Sequence, residues 1–121
     1  MSNRSAERHP PLRTNDFHIL FSLVDGQLHG YAIAKAILER TEGSIRLEAG
    51  NLQRTLRKLV RQGLVVASET RPQPDLDDAR RNYWELTDRG RAAVAAEALR
   101  LRNLVREAEA KRLIPALPAE P

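Results

Sequence analysis

The 121-residue sequence contains no cysteine, which excludes a disulfide framework and a metal site built on thiolates. Aromatic residues make up only 4% of the chain, so aliphatic side chains must form most of the core of what is, at this length, one small domain. No long apolar run is present, which excludes a membrane-spanning helix. Residues 1–13 lack the apolar segment of a secretory signal, so a cytoplasmic protein is expected.

Polar clusters that would indicate catalysis or metal binding are also missing. The three histidines, His9, His18 and His29, do not have the spacing of metal ligands, and His29 is expected to form a hydrogen bond in a turn. The acidic segment 75–78 lacks the glycine and distant glutamate of a calcium loop. We therefore expect no enzyme, no metal and no cofactor. The chain has 20 Lys and Arg against 16 Asp and Glu, which favours a polyanionic partner.

The segment NLQRTLRKLVRQG, residues 51–63, predicts a helix with two opposed faces when it is read at about 100° per residue. The apolar face comprises Leu52, Leu56, Leu59 and Val60. The basic face comprises Arg54, Arg57, Lys58 and Arg61. No acidic residue lies between Glu48 and Glu69, so nothing along this helix balances the basic face. The pattern favours a helix that packs on a core and presents positive charge to an anionic partner.

Two amphipathic helices are predicted before the basic one. The first begins at Thr14 or Asn15, which can cap a helix, and ends near residues 25–26. The second follows a turn at 27–30 and ends near Gly43. The apolar stripe of the first helix comprises Phe17, Leu20, Leu23 and Val24. The second comprises Tyr31, Ala34, Ile37 and Leu38, so Tyr31 is expected in the core.

After the basic helix the pattern changes to that of strands. Residues 64–70 are rich in β-branched side chains, and residues 82–86 have an aromatic strand composition. The segment between them contains two prolines and an acidic cluster, which predicts a loop. The arrangement is a β-hairpin with a long tip. Side chains alternate along a strand, so either Tyr83 or Trp84 should face the core.

Thr87 is predicted to cap a final helix, which runs from Asp88 towards Leu113 and stops before Pro115. Its apolar residues recur at alternating spacings of four and three, which is typical of a helix that packs along another helix. They are Val94, Ala98, Leu101, Val105 and Ala108. Homodimerisation through Val94, Leu101, Val105 and Ala108 is the economical prediction. The alternative is that this helix folds back on the first helix of the same chain.

Two helices, a basic helix and a hairpin follow one another in the order of a winged helix-turn-helix. The sequence thus predicts a mostly helical α+β fold with a long C-terminal dimerisation helix. We divide it into a flexible arm (1–13), a winged helix-turn-helix (14–87), the dimerisation helix (88–114) and a flexible tail (115–121).

Three segments resemble the PadR-like family of transcriptional regulators in order and spacing. They are HGYAIAKAILERTEG from His29, LEAGNLQRTLRKLVRQGLV from Leu47 and RRNYWELTDRG from Arg80. The last contains a Leu-Thr-x-x-Gly that joins the wing to the final helix in the family. The sequence departs from the family at Gln53-Arg54, where Tyr-Pro is common, and at Trp84, where tyrosine is common. The family's short members have a single C-terminal helix, and the chain is expected to resemble them, because the residues after Leu113 are too few to build a separate effector domain.

The resemblance implies a sequence-specific DNA-binding regulator, with repression as the expected mode and a homodimer on a two-fold operator of double-stranded DNA. Arg54 and Arg57 are the candidates for contacts with base edges. Other candidate contacts to phosphates or flanking groups are Asn51, Gln53, Lys58 and Arg61 on the helix and Arg71, Arg80 and Arg81 on the wing. The resemblance leaves room for a small-molecule effector between the subunits. The alternative function is a winged-helix module that binds another protein and has no specific DNA site.

Overall fold

The computed structural model describes residues 9–68 and 82–118. Within these ranges the chain forms four helices and three strands. They are α1 (Thr14–Ser22), β1 (Leu28–His29), α2 (Gly30–Arg40), α3 (Ala49–Arg61), β2 (Val65–Ala67), β3 (Tyr83–Leu86) and α4 (Asp88–Ala110). The predicted helices are all present, and the fold is the predicted winged helix-turn-helix. No helix in these ranges has both the length and the apolar composition needed to cross a membrane.

The strands form one antiparallel sheet in the order β1-β3-β2. The predicted hairpin is confirmed, since Val65 pairs with Leu86 and Ala67 pairs with Trp84. Trp84 is the residue of its pair that packs against the core. The strand β1 was not predicted, because the sequence reading placed a turn at residues 27–30. Its two residues pair with β3, and two residues are too few to show an alternating pattern.

The core lies where α1, α2 and α3 meet the start of α4 and the sheet. Its buried members are Ile19, Leu20, Leu23, Ile33, Ile37, Leu52, Leu56, Leu59, Leu64, Val65, Ala93 and Val94. The prediction that Tyr31 and Val60 belong to the core is wrong. Tyr31 is 72% exposed and Val60 is also exposed. The buried side of α2 is centred on Ile33 and Ile37, one helical turn apart, and Tyr31 points away from it.

The ends of the helices are fixed by a few side chains and one glycine. The Nδ1 atom of His29 accepts a hydrogen bond from the backbone N–H of Ala32 at 3.2 Å and thereby caps α2, which confirms the turn hydrogen bond expected of His29. Helix α3 stops at Gly63, whose φ of 77° lies in the left-handed region. For α1 the predicted cap is wrong, because Arg13 holds the capping position and no side chain supplies a bond.

The segment before α1 is anchored at Leu12, although the sequence suggested a flexible arm up to residue 13. The backbone N–H of Leu12 donates to the Oε1 atom of Glu97 at 2.9 Å, and its side chain packs against the core. Burial of Glu97 raises the pKa of its carboxyl, but the hydrogen bonds from Leu12 and Arg100 outweigh burial and hold this pKa below its ordinary value. The anchored segment therefore joins α1 to the middle of α4.

The two halves of α4 have different surroundings. Val94 is 4% exposed and belongs to the core of its own chain, so it is not available as a dimer contact and that assignment is corrected. The first half of α4 packs against α1, as in the alternative in which this helix folds back. Farther along, Leu101, Leu104 and Val105 are 40%, 62% and 46% exposed. An apolar stripe is thus left uncovered on the second half.

Candidate nucleic-acid interface

The side of α3 that faces away from the core carries a line of arginines. Arg54, Arg57 and Arg61 are all exposed, and their spacing of three and four places them above one another on one side of the helix. The guanidinium of Arg54 donates to the Oδ1 atom of Asn51. Among the described residues neither Arg57 nor Arg61 has a hydrogen bond or ion pair from its side chain. Their charges are therefore available to an external anion.

Lys58 is held in place by the domain itself. Its Nζ atom lies 2.7 Å from the Oδ2 atom of Asp16 on α1, and Asp16 is only 8% exposed. A buried carboxylate needs such a partner, because losing its hydration is otherwise costly. The sequence reading grouped Lys58 with the phosphate contacts, but its ammonium is already paired and ties α3 to α1.

An open groove runs along one flank of α3, between this helix and α2. It has a volume of about 440 Å³. Its floor includes the apolar Ala34, Leu38, Leu47 and Leu52, and its rim includes Tyr31, Lys35, Arg46 and Gln53. Of these, only Gln53 was among the predicted DNA contacts. The exposed positions of Tyr31 and Lys35, four residues apart on α2, are the helical signal that would have found them.

A second cleft lies on the opposite flank of α3 and has a volume of about 490 Å³. The anchored N-terminal segment, α1, the end of α3 and the start of α4 form its walls. Its charged and amide-bearing residues are Arg13, Asp16, Lys58, Gln62 and Arg89. Among the described residues that line this cleft, only Asp16 carries a carboxylate, and this carboxylate is paired with Lys58. Both flanks of α3 are thus bordered by cationic side chains.

The wing begins beside the end of α3. Strand β2 follows Gly63 after one residue, and β3 returns alongside it. The predicted wing contacts Arg71, Arg80 and Arg81 lie outside the described residues. Of the predicted nucleic-acid contacts on α3, the structure places Asn51, Arg54, Arg57 and Arg61 on the exposed surface and Gln53 in the rim of the first groove.

Residues 19–96 match the family described as "Transcriptional regulator PadR-like family". By sequence, no curated protein matches the chain.

Several solved structures have a similar fold. A PadR family transcription regulator from Clostridium difficile R20291 is 22% identical, with 82% of this chain and 97% of that one covered and a TM-score of 0.64. RosR from H. salinarum is 25% identical, with 84% and 97% covered and a TM-score of 0.58. Bacillus subtilis PadR, in complex with operator DNA, is 21% identical with a TM-score of 0.54. The match covers 89% of this chain but 51% of the B. subtilis protein.

Proposed function

Since the chain belongs to the PadR-like family of transcriptional regulators, we propose that it is a dimeric repressor that binds a two-fold operator in double-stranded DNA. The family consists of transcriptional regulators, so the chain is not an enzyme. The observation that carries the proposal is the line of exposed arginines on α3, which no carboxylate within the described residues neutralises. B. subtilis PadR, which has a similar fold, is in complex with operator DNA, and this supports DNA as the partner.

Helix α3 is the element that reads sequence in this proposal. The major groove is about 12 Å wide and admits one helix, where arginine can donate two hydrogen bonds to the O6 and N7 atoms of guanine. Arg54 and Arg57 make these contacts, and Asn51 orients the guanidinium of Arg54 through their hydrogen bond. Arg61 binds a phosphate at the end of the helix. Lys58 does not contact DNA in this proposal, and its ion pair with Asp16 holds α3 against α1.

The dimer forms through the second half of α4. Leu101, Leu104, Val105 and Ala108 recur at spacings of three, one and three, which places them on one side of the helix. Leu101, Leu104 and Val105 are exposed, and a second copy of the same stripe would cover them. A two-fold dimer presents two α3 helices to half-sites about 34 Å apart, one turn of DNA. Occupancy of a promoter by this dimer is sufficient for repression. An effector wedged between the subunits would act by changing this spacing.

Selection of bound duplexes from a random pool tests the proposal and identifies the operator. We expect enrichment of a sequence with two-fold symmetry. Binding to it should weaken steeply with salt, since each phosphate contact releases a counterion. The alternative, a module that binds another protein, predicts no enriched sequence. That result would overturn the proposed function.

The first prediction concerns Arg57. The Arg57→Ala variant should lose about 1–3 kcal/mol of operator binding and relax the preference at one base pair of each half-site, because a bidentate contact is removed. Fold stability should remain close to that of the unmodified chain, since this side chain is exposed. Titration and repeated selection measure both effects. Arg106→Ala, an exposed arginine on the second half of α4, is the matched control. Unchanged affinity and preference would remove Arg57 from the contacts with bases.

A further inference from the structure

The groove between α2 and α3 has the composition of a small-molecule site. We call it the α2 groove, and its rim contains Tyr31, Lys35, Arg46 and Gln53. Its volume of about 440 Å³ falls within the range of about 300–1,000 Å³ that is usual for such sites. We propose that the α2 groove binds a small carboxylate with an apolar body, and that this ligand competes with the operator for α3. The competition rests on the proposed function, whereas the ligand site does not.

The floor of the α2 groove suits an apolar body. It is formed by Ala34 and Leu38 of α2, by Leu47 before α3 and by Leu52 of α3. The first three are only half-buried in the folded chain, so a hydrocarbon that lies on them removes further apolar surface from water. An inorganic anion has no such surface to contribute. The floor therefore selects a ligand that contains hydrocarbon.

The rim of the α2 groove supplies positive charge that the chain does not neutralise. Within the described residues Lys35 and Arg46 form no ion pair, and no acidic side chain lines the groove. The amide of Gln53 makes no hydrogen bond in the same part of the chain. An arginine can donate two hydrogen bonds to one carboxylate, and a lysine adds a second charge beside it. The rim therefore matches a carboxylate at one end of an apolar ligand.

The position of the α2 groove places such a ligand beside the start of α3. Ala49, the first residue of α3, lines the groove, as does Gln53, which directly precedes Arg54. At Gly30 the two helices are in contact, since a Cβ there would lie 3.2 Å from the Nε2 atom of Gln53. The ligand must therefore lie on the open side of this contact. A helix with its side chains is about 10–12 Å across and nearly fills a major groove of about 12 Å, so a ligand beside α3 and a duplex exclude each other.

Octanoate is the probe of the site, and octanol and acetate keep only its hydrocarbon or only its charge. Calorimetry measures the binding of each to the full chain without DNA. Two variants change the groove: Lys35→Ala with Arg46→Ala removes the charges of the rim, and Ala34→Leu fills the floor. The control Arg13→Ala with Arg89→Ala removes two exposed charges from the cleft on the opposite flank of α3. Thermal unfolding checks that each variant is folded.

We expect octanoate to bind, and octanol and acetate to bind at least about tenfold more weakly, because each lacks one of the two interactions. The double variant of the rim should weaken octanoate by about tenfold or more, since hydrogen bonds to a charged group are lost. Ala34→Leu should also weaken it, because the larger side chain occupies the floor. The control should bind octanoate like the unmodified chain. If octanoate does not bind, or if either groove variant leaves its binding unchanged, the proposed ligand site is wrong.

Titration of the selected operator with and without octanoate tests the competition. At about ten times its own dissociation constant, octanoate should weaken operator binding by about tenfold or more, and Ala34→Leu should abolish this effect. Acetate at the same concentration controls for ionic strength. Operator binding that is unchanged while octanoate occupies the groove would overturn the competition and leave the proposed function standing. If the chain binds octanoate but selects no operator, the proposed function fails and the ligand site stands.

Discussion

Single residues join elements that the sequence shows only separately, and Arg40 is the clearest example. Its Nη1 atom lies 3.1 Å from the Nδ1 atom of His18, and its Nη2 atom donates to the hydroxyl of Ser22 at 2.9 Å. The same guanidinium lies 4.8 Å from the centre of the Phe21 ring, a cation–π contact. Arg40 therefore fastens the end of α2 to α1. Because arginine has no acceptor, Nδ1 of His18 must be the unprotonated, accepting nitrogen.

This contact predicts a pH dependence of stability. Burial and, after it, the charge of Arg40 lower the pKa of His18 from its ordinary value of 6.5. The unfolded chain then binds a proton at His18 more readily than the folded chain does. The contribution of His18 to the free energy of unfolding is therefore fully present above about pH 6.5 and is lost as the pH falls towards the lowered pKa. Urea unfolding at pH 7.5 and 5.5 should show a smaller free energy of unfolding at the lower pH.

The matched variant is His18→Gln, which cannot titrate in this range. Its free energy of unfolding should change less than that of the unmodified chain between the same two pH values. Glu97 does not interfere with this comparison. The pKa of its carboxyl is lowered from 4.5, so its contribution to the free energy of unfolding is lost only at pH values below the interval from 5.5 to 7.5. An equal pH dependence in both chains would contradict the assignment to His18.

Two residues show why side-chain roles were harder to predict than helices. Lys58 lies in the basic face of α3, but its partner Asp16 is 42 residues away, and the helical pattern contains no information about that distance. Tyr31 has a largely apolar ring and falls at helical spacing with Ala34 and Ile37. The side of α2 that is buried is nevertheless the one that carries Ile33 and Ile37. Periodicity predicts that a stripe exists, while the packing of neighbouring elements determines its centre.

At the scale of elements, the sequence was most informative about the helices. The basic helix was predicted over residues 51–63 and α3 spans Ala49–Arg61, so each end was predicted within two residues, because Gly63 stops the helix and the residues before it have a strong period. The cap of α4 at Thr87 was also predicted, and its hydroxyl accepts from the N–H of Gly90 at 3.0 Å. The same hydroxyl donates to the carbonyl of Gly63 at 2.6 Å. Thr87 thus joins the end of α3, the base of the wing and the start of α4.

Gly90 allows these three elements to approach closely. A Cβ placed there would lie 2.0 Å from the carbonyl oxygen of Leu64, which belongs to the backbone and cannot rotate away. Gly90→Ala should therefore lower the free energy of unfolding by about 1–3 kcal/mol or more, as expected for overpacking. Chemical denaturation measures the change.

Gly50→Ala is the matched control, because Gly50 is also helical but its nearest atom would be a flexible one of Arg54, at 3.6 Å. Alanine there should stabilise the chain by about 0.5–1 kcal/mol through helix propensity. If Gly90→Ala behaved like this control, the close junction between α3 and α4 would be wrong. The glycine in the sequence pattern Leu-Thr-x-x-Gly would then need another explanation.

At the scale of the whole molecule, α4 belongs to two different environments. Its first half is part of the domain, through Val94 and through Glu97 with its bond to Leu12. Its second half carries the exposed stripe of Leu101, Leu104 and Val105. The sequence showed one continuous seam and could not show where it leaves the core, because the spacing of apolar residues is the same in both halves. The structure of the chain therefore confines the proposed dimer contact to the second half.

The last prediction tests this contact with Leu101→Asp. A carboxylate buried between two subunits would lose its hydration without gaining a partner, which costs several kcal/mol and opposes association. Since Leu101 is 40% exposed in the single chain and lies outside the core, the variant should remain folded by circular dichroism. Light scattering should report the mass of one chain. The control Asn103→Asp adds the same charge at an exposed position on the side of α4 away from the stripe and should remain dimeric. The monomer should keep weak binding to a half-site and lose tight binding to the two-fold operator, because it lacks the high effective concentration of a linked second site. A Leu101→Asp chain that stays dimeric with undiminished operator affinity would show that the exposed stripe of α4 does not form the dimer.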